Sequence, residues 1–346
     1  MERCEWGGCY ATVNMSIQAA TPLNLNHSLV ASRGIVKLYG GGDSSHNVSN
    51  VNVKGVLTLL KRNNVGAPFG VGKAVIASET LKVYDLERGK NTGGLGTALP
   101  PPTDVCVQNR DSLLLQVGKA LYRVDARVKD GAPSQINTGG RKVCGITQVT
   151  DRLATYAFLE KEGSTHSNAT GLAMIDVRGA PKESPCHRVE GLSLSEEVKI
   201  ADSMPVGDGR TLVAVASEHS VGLVLMRDNI IEMQYKLLLC PGTRVRGIHQ
   251  HKMSNLDDDD EDEGELSSCV ITVITDNNYA ISYKIVPPKE GEEMVVLLCD
   301  KVEADVICYG KNDAHPSHAL VVRGYAPTEI QHVWYEDGEV TDDDES

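Results

Sequence analysis

A recurring hairpin is the feature that most constrains this chain. Lys73–Lys90 (KAVIASETLKVYDLERGK) reads as two short strands, Ala74–Ser78 and Leu81–Leu86, joined by a tight turn at Glu79-Thr80. The first is a continuous apolar run, as expected of a strand buried on both faces. The second alternates around Lys82 and closes on Tyr84-Asp85. The same pairing recurs as Ser28–Ser32 with Ile35–Tyr39, Ser112–Val117 with Ala120–Asp125, and Leu153–Leu159 with Gly171–Val177. It recurs again as Thr211–Ser217 with Val221–Met226, Cys269–Thr275 with Tyr279–Ile285, and His318–Arg323 with Glu329–Tyr335. The second members restart every ~40 to 58 residues, a period of repeat architectures.

Weaker strand candidates lie between the hairpins. Val56–Leu60, Val105–Gln108, Val143–Gln148, Val198–Met204, Val245–Gln250 and Asp305–Tyr309 precede hairpins and read as inner strands. Cys186–Leu192, Glu232–Leu239 and Glu293–Val302 follow hairpins and read as outer strands. Small antiparallel sheets cannot bury both faces alone, and radial packing buries them while leaving only short edges. The pattern therefore predicts an all-β chain, a seven-bladed β-propeller of four-stranded antiparallel blades; a pair of β-sandwiches is the rival fold. The seventh hairpin has no outer strand after it, and Cys9–Ile17 near the N-terminus is spare. That segment is expected to pair beside Glu329–Tyr335 and close the ring. Residues 1–336 then form one domain, with an acidic loop insertion at 254–267 and a disordered acidic tail at 337–346. Gly89–Asp104, rich in Gly and Pro, reads as a surface loop, and Glu160–Thr170 as a polar insertion.

The strand ends Tyr84-Asp85, Val124-Asp125, Ile175-Asp176 and Trp334-Tyr335 resemble degenerate WD40 repeat ends. The chain contains no Trp-Asp and no Gly-His dipeptide, so the Asp-His-Ser/Thr-Trp hydrogen-bond network of that family does not carry over. The resemblance implies an interaction platform rather than an enzyme. A second resemblance rests on Gly40-Gly41-Gly42 with Lys54-Gly55-Val56. This pair is similar to the glycine-rich loop of ER-anchored propellers that activate a coat-recruiting small GTPase, although Leu57 stands where that family has Asn.

The formal net charge of −13 is concentrated in two places. Asp257–Glu265 and Glu336–Ser346 hold fifteen of the 47 acids and no Lys or Arg, which leaves 32 acids against 34 basic residues elsewhere. The expected partner-binding acidic face comprises Asp257, Asp258, Asp259, Asp260, Glu261, Asp262, Glu263 and Glu265 with Asp342, Asp343, Asp344 and Glu345. In such blades the loop after the first strand and the segment after the third share one face, so the two runs are expected to emerge together. A cluster of this sign attracts Lys/Arg-rich protein segments, speeds their encounter and weakens with salt. Equally, such runs serve as solubilising appendages. Their sign excludes direct nucleic-acid binding on that face. Ser254 and Thr341 precede acids at acidophilic kinase spacing, and phosphate there would deepen the patch. The opposite face is expected to present Arg141, Lys142, Arg244 and Arg246, from loops leading into the fourth and sixth blades.

Motifs for chemistry are sparse. No GxxxxGK[ST] or GxGxxG phosphate loop occurs. His249 and His251, the His315/His318 pair with Cys308, and Cys186-His187 each lack a third partner in sequence, so no catalytic residue, metal or cofactor is expected. Nine cysteines stand singly without a CxxC, the pattern of reduced thiols in a cytoplasmic or nuclear protein. No apolar run approaches the ~20 residues of a membrane span, and the N-terminus lacks the apolar core of a signal peptide. The leading expectation is a non-enzymatic protein–protein interaction scaffold whose acidic face binds or escorts a basic partner during assembly. The alternatives are an exchange factor for a small GTPase and a structural propeller subunit of a larger complex, bound through its blade edges.

Overall fold

Apolar runs and alternating strands of this kind pair as antiparallel hairpins, and each hairpin recruits a strand on either side. The computed structural model describes residues 3–13, 19–24, 27–32, 35–40, 47–52, 59–62, 73–77, 81–85, 90–95, 99–109, 112–125, 132–149, 154–160, 170–176, 186–194, 196–253, 267–289, 291–303, 306–311, 318–323 and 328–336. Among these residues, 28 strands form seven four-stranded sheets.

Strand β1 (Arg3–Val13) belongs to the last sheet. The first contains β2 (Ala19–Asn24), β3 (His27–Ser32), β4 (Ile35–Gly40) and β5 (Asn47–Asn52). The second contains β6 (Leu59–Arg62), β7 (Lys73–Ala77), β8 (Leu81–Asp85) and β9 (Lys90–Leu95). The third contains β10 (Asp104–Asn109), β11 (Ser112–Val117), β12 (Ala120–Asp125) and the short β13 (Ser134–Gln135). The fourth contains β14 (Val143–Val149), β15 (Ala154–Glu160), β16 (Thr170–Ile175) and β17 (Cys186–Leu194). The fifth contains β18 (Ile200–Gly207), β19 (Arg210–Ala216), β20 (Val221–Arg227) and β21 (Ile230–Leu237). The sixth contains β22 (Val245–Lys252), β23 (Cys269–Thr275), β24 (Tyr279–Val286) and β25 (Val295–Glu303). In the last, β26 (Val306–Lys311), β27 (His318–Arg323) and β28 (Thr328–Glu336) are followed by β1, which pairs antiparallel with β28 from Arg3↔Glu336 to Val13↔Thr328.

The hairpins read from the sequence are the central pairs of these sheets. First strands of neighbouring sheets lie against one another: β14 against β10 and β18, β22 against β18 and β26, and β2 against β6 and β26. The core is layered between sheets. In β19 every residue is buried, and period-two alternation divides the strand between two layers. Val213 and Val215 pack with Phe158 and Leu172 of the fourth sheet, while Leu212, Ala214 and Ala216 pack with Ile271 and Val273 of the sixth. A third layer joins Leu114 and Leu121 to Ile146 and Ala157. Each fully buried Leu, Val or Phe contributes roughly 1.5–3 kcal/mol relative to exposure.

Polar bonds tie the first strands together. Thr147 and Ser203 share a buried hydroxyl contact of 3.1 Å. The Gln250 backbone N–H donates to Asp202 Oδ2 at 2.7 Å, and its side-chain Nε2 donates to the Asp202 carbonyl at 2.7 Å.

One expectation needs correction. Part of the Gly89–Asp104 loop is strand: β9 (KNTGGL) has poor strand propensity and pairs through backbone bonds to β8 instead, with Leu81 opposite Leu95. Inner strand β6 (Leu59–Arg62) overlaps the expected Val56–Leu60, of which residues 56–58 lie outside the described residues. Outer strands β5 and β13, also weak in β-branched residues, were not legible. Residues 41–42 and 54–57, which carry the exchange-factor resemblance, lie outside the described residues. No helix among the described residues is long and apolar enough to cross a membrane.

Candidate functional site

One face carries the turns between second and third strands and the loops that lead from one sheet to the next. Backbone bonds dock these loops on both neighbouring sheets. Val143 donates to the Lys119 carbonyl and Glu160 to the Lys142 carbonyl, each at 2.9 Å. Further along, Val245 donates to the Glu218 carbonyl at 2.9 Å and Asp276 to the Arg244 carbonyl at 3.0 Å. The four basic residues expected on this face belong to these docked loops and the strand start that follows. Arg141 and Lys142 line an open depression of about 480 Å³ together with Lys119, Asn137 and Thr138. Positive φ at Gly139 and Gly140 (67° and 78°) turns the chain there, and Arg141 Nε donates to the Thr138 carbonyl at 3.4 Å.

Carboxylates interleave with these cations. Lys119 contacts Glu197, Lys142 lies 3.8 Å from Glu160, and Arg244 lies 3.5 Å from Glu218. Lys199 also bonds Glu218 at 2.8 Å. That bond and charge, helped by Arg244, hold the Glu218 carboxyl below its ordinary pKa. Arg246 is exposed at the start of β22. Among the described residues the face thus carries charge pairs at Lys119, Lys142, Lys199 and Arg244, with Arg141, Lys142, Arg244 and Arg246 distributed over two loops and a strand start rather than brought together.

A deeper feature on the same face was missed by the sequence reading. Glu196 sits in the loop between β17 and β18. Thr170 Oγ1 donates to its carbonyl at 2.9 Å. Its Oε2 accepts from Ser217 Oγ and, at 3.1 Å, from Ser220 Oγ. The two hydroxyls lie 2.8 Å apart across the β19–β20 turn, which closes through Ser217 N–H to the Ser220 carbonyl at 2.9 Å. Between the fourth and fifth sheets this builds a cleft of about 180 Å³. Leu194, Val198, Val215 and Val224 form apolar walls, and Tyr235 and Lys236 of β21 also line it. Gly222 keeps it open: a Cβ there would lie 3.2 Å from Val215 Cγ2 and 3.6 Å from Leu194 Cδ2. A glycine interrupting the apolar strand VGLVLM is the signal that could have exposed it.

The opposite face carries the turns between first and second strands and between third and fourth. Both are two-residue turns of positive φ in the fifth sheet: Asp208-Gly209 (48° and 68°) and Asp228-Asn229 (47° and 67°). They present an ion network. Arg210, with a side chain only 7% exposed, lies 3.2 Å from Glu232 and 3.9 Å from Asp208. Its Nη1 donates to the Pro288 carbonyl of the sixth sheet at 2.5 Å. Arg227 contacts Asp208 and Glu232, both at 2.8 Å.

The acidic insertion is rooted beside this network. Ser267 donates to the Val206 carbonyl of β18 at 3.0 Å, and Met253 donates to the Ser268 carbonyl at 3.4 Å. Asp257, Asp258, Asp259, Asp260, Glu261, Asp262, Glu263 and Glu265 lie outside the described residues, as do Asp342, Asp343, Asp344 and Glu345, Ser254 and Thr341.

No family model matches the chain, and no curated protein sequence does. Solved structures do match it. The β-propeller domain of Myceliophteria thermophila Cps50 (Swd1) is 10% identical, over 95% of this chain and 99% of that one, with a TM-score of 0.62. A chain of the mitotic checkpoint complex is 12% identical over 96% and 94%, with a TM-score of 0.60. The C-terminal WD40 domain of Sif2 is 11% identical over 95% and 98%, with a TM-score of 0.55. At these identities the likeness is one of fold: the chain is a WD40-like β-propeller, all-β, built of antiparallel four-stranded sheets.

Proposed function

We propose that this chain is a non-enzymatic protein–protein interaction scaffold, and that its acidic segments receive a Lys/Arg-rich segment of a protein partner. In this reading the seven sheets are seven blades of one closed ring within residues 1–336, with β1 as the closing strand. Support comes from β1 pairing with β28 and from β2 touching β26. The observation that carries the functional reading is the root of the acidic insertion. Its flanks meet, Met253 donating to the Ser268 carbonyl, and Ser267 is bonded to β18, so the eight acids branch from the folded scaffold instead of trailing from a terminus. The third strand of the adjacent sheet, β28, ends at Glu336 on the same face, and the acidic tail follows it in sequence. Long-range attraction between such a cluster and a basic segment raises the encounter rate and is screened beyond ~8 Å at physiological salt. A role in assembly or escort of basic proteins in the cytoplasm or nucleus follows from that chemistry.

The test compares the full chain with one lacking residues 257–265 and 337–346, in pull-downs from lysate at low and high salt. Lys/Arg-rich proteins captured by the full chain at low salt, and lost in the deletion, support the reading. Identical captures by both proteins refute it.

A structural-subunit reading also has a specific observation behind it. The outer strands of the fifth and sixth sheets expose large apolar side chains, including Ile230 at 68%, Leu297 at 47% and Leu298 at 63%, and Leu238 just past β21 is 88% exposed. Replacing Leu297 and Leu298 by Glu changes stability little at such exposure, and loss of co-purifying partners in that variant alone would favour binding through the rim.

A further inference from the structure

We propose that the cleft between the fourth and fifth sheets is a lysine-recognition pocket for an extended protein segment. The proposal stands apart from the acidic segments, which are rooted on the other face. Volume comes first. At about 180 Å³ the cleft lies well below the roughly 300–1,000 Å³ of small-molecule sites, and suits a single long side chain. Its lining divides as an amphipathic side chain does. Leu194, Val198, Val215 and Val224 offer apolar walls to an aliphatic stem, and Glu196 offers a carboxylate to a charged tip.

The carboxylate is set in place before any ligand arrives. Thr170 holds its backbone, and the Ser217 and Ser220 hydroxyls occupy Oε2. Oε1 accepts no hydrogen bond among the described residues. One oxygen of the pair is thus committed, which removes the two-pronged edge that an arginine fork matches best. A compact ammonium needs only a single strong acceptor with hydroxyl lone pairs nearby, and Ser220 Oγ provides these within 3.1 Å of the carboxylate. Gly222 completes the design by leaving the stem's path clear. Lys236 also lines the cleft, from the exposed outer strand. The favourable charge is therefore local to Glu196, and a single lysine rather than a polybasic run is the fitting ligand.

The experiment is a ligand-observed NMR titration of the full chain at 0.15 M salt. The probe is the blocked heptapeptide Ser-Gly-Leu-Lys-Leu-Gly-Ser, compared with versions carrying norleucine or arginine at the central position. Lysine should bind about tenfold more tightly than norleucine, the worth of a charge-assisted hydrogen bond. Glu196→Gln keeps an oxygen for the two serines and should abolish that preference. Glu197→Gln, at the neighbouring carboxylate, should retain it. Equal binding of lysine and norleucine, an unchanged preference in Glu196→Gln, or tighter binding of arginine than lysine overturns the proposal. A second measurement needs no variant: n-butylammonium, but not n-butanol, should shift the amide resonances of residues 217–222 in the unmodified chain. Equal shifts from both, or from neither, count against the pocket.

Discussion

Arg210 gives the sharpest test of how adjacent sheets are held together. It is buried on β19, and its Nη1 donates to the Pro288 carbonyl in the loop after β24. Arg210→Met keeps the aliphatic stem and removes the charge. A lost hydrogen bond from a charged donor costs roughly 1.5–3 kcal/mol. The ion pair to Glu232 adds little to that figure. The Arg210 Nε–H is not aligned on the carboxylate, despite the 3.2 Å separation. Glu232 is 30% exposed and keeps Arg227 at 2.8 Å. Relief of guanidinium desolvation works the other way, so the net loss should be about 2 kcal/mol. For a chain this long m is roughly 3 kcal/mol/M or more in urea, which gives a midpoint drop of at most roughly 0.7 M with m unchanged. Arg227→Met is the comparison: its side chain is 38% exposed, so its pairs with Asp208 and Glu232 should contribute under about 1 kcal/mol. Urea unfolding followed by far-UV circular dichroism reads both. An unchanged or raised midpoint for Arg210→Met would refute the argument, because desolvation would then cancel the Pro288 bond.

Three further outcomes follow from the geometry. Glu218 has a depressed carboxyl pKa, held down first by its bond to Lys199; its contribution is present above the ordinary carboxylate value and is lost as pH falls through the lowered folded value. Lys199→Met should raise the Glu218 pKa in a carboxyl NMR titration, and no change would remove Lys199 as the cause. Burial raises the Cys144 thiol pKa, whereas Cys240 is exposed, so iodoacetamide at mildly alkaline pH should label Cys240 well before Cys144 in peptide mass spectrometry. Asp202→Ala removes the acceptor for the buried Gln250 N–H, which should destabilise the fold by about 1–3 kcal/mol; a drop below a few tenths would show that the bond between first strands is dispensable.

The fold was legible because its core repeats along the chain. Residues such as Val213 and Leu212 face opposite layers, so a strand between two sheets must be apolar throughout, and such runs stand out against alternating neighbours. The weakest strands to read were outer or short ones. Strand β9 is held by backbone pairing to β8 and β13 is two residues long; neither needs apolar or β-branched side chains. The turns Asp208-Gly209 and Asp228-Asn229 could be recognised by type, but the ion network they display could not.

That network shows why the sites stayed hidden while the strands did not. Its interactions, like those of the cleft, join residues at separations that only a known sheet register brings together. Ser217 lies 21 positions from Glu196, Gln250 lies 48 from Asp202, and Pro288 lies 78 from Arg210. A strand advertises itself through neighbours two positions apart, whereas each of these bonds depends on which loop of one sheet docks on which turn of the next. The same reasoning gives weight to the exposed outer strands. Core geometry does not require Leu238 or Leu298 to be apolar, because neither is buried. Water disfavours large apolar side chains gathered on a surface, and their presence along β25 and just past β21 is what the rim-binding reading rests on. The rim and the Glu196 cleft both involve the fifth sheet, through Tyr235 and Lys236 of β21. A partner laid across that edge could therefore place a side chain in the cleft while covering the rim. Variants at Glu196 and at Leu298 should then weaken binding of one and the same protein.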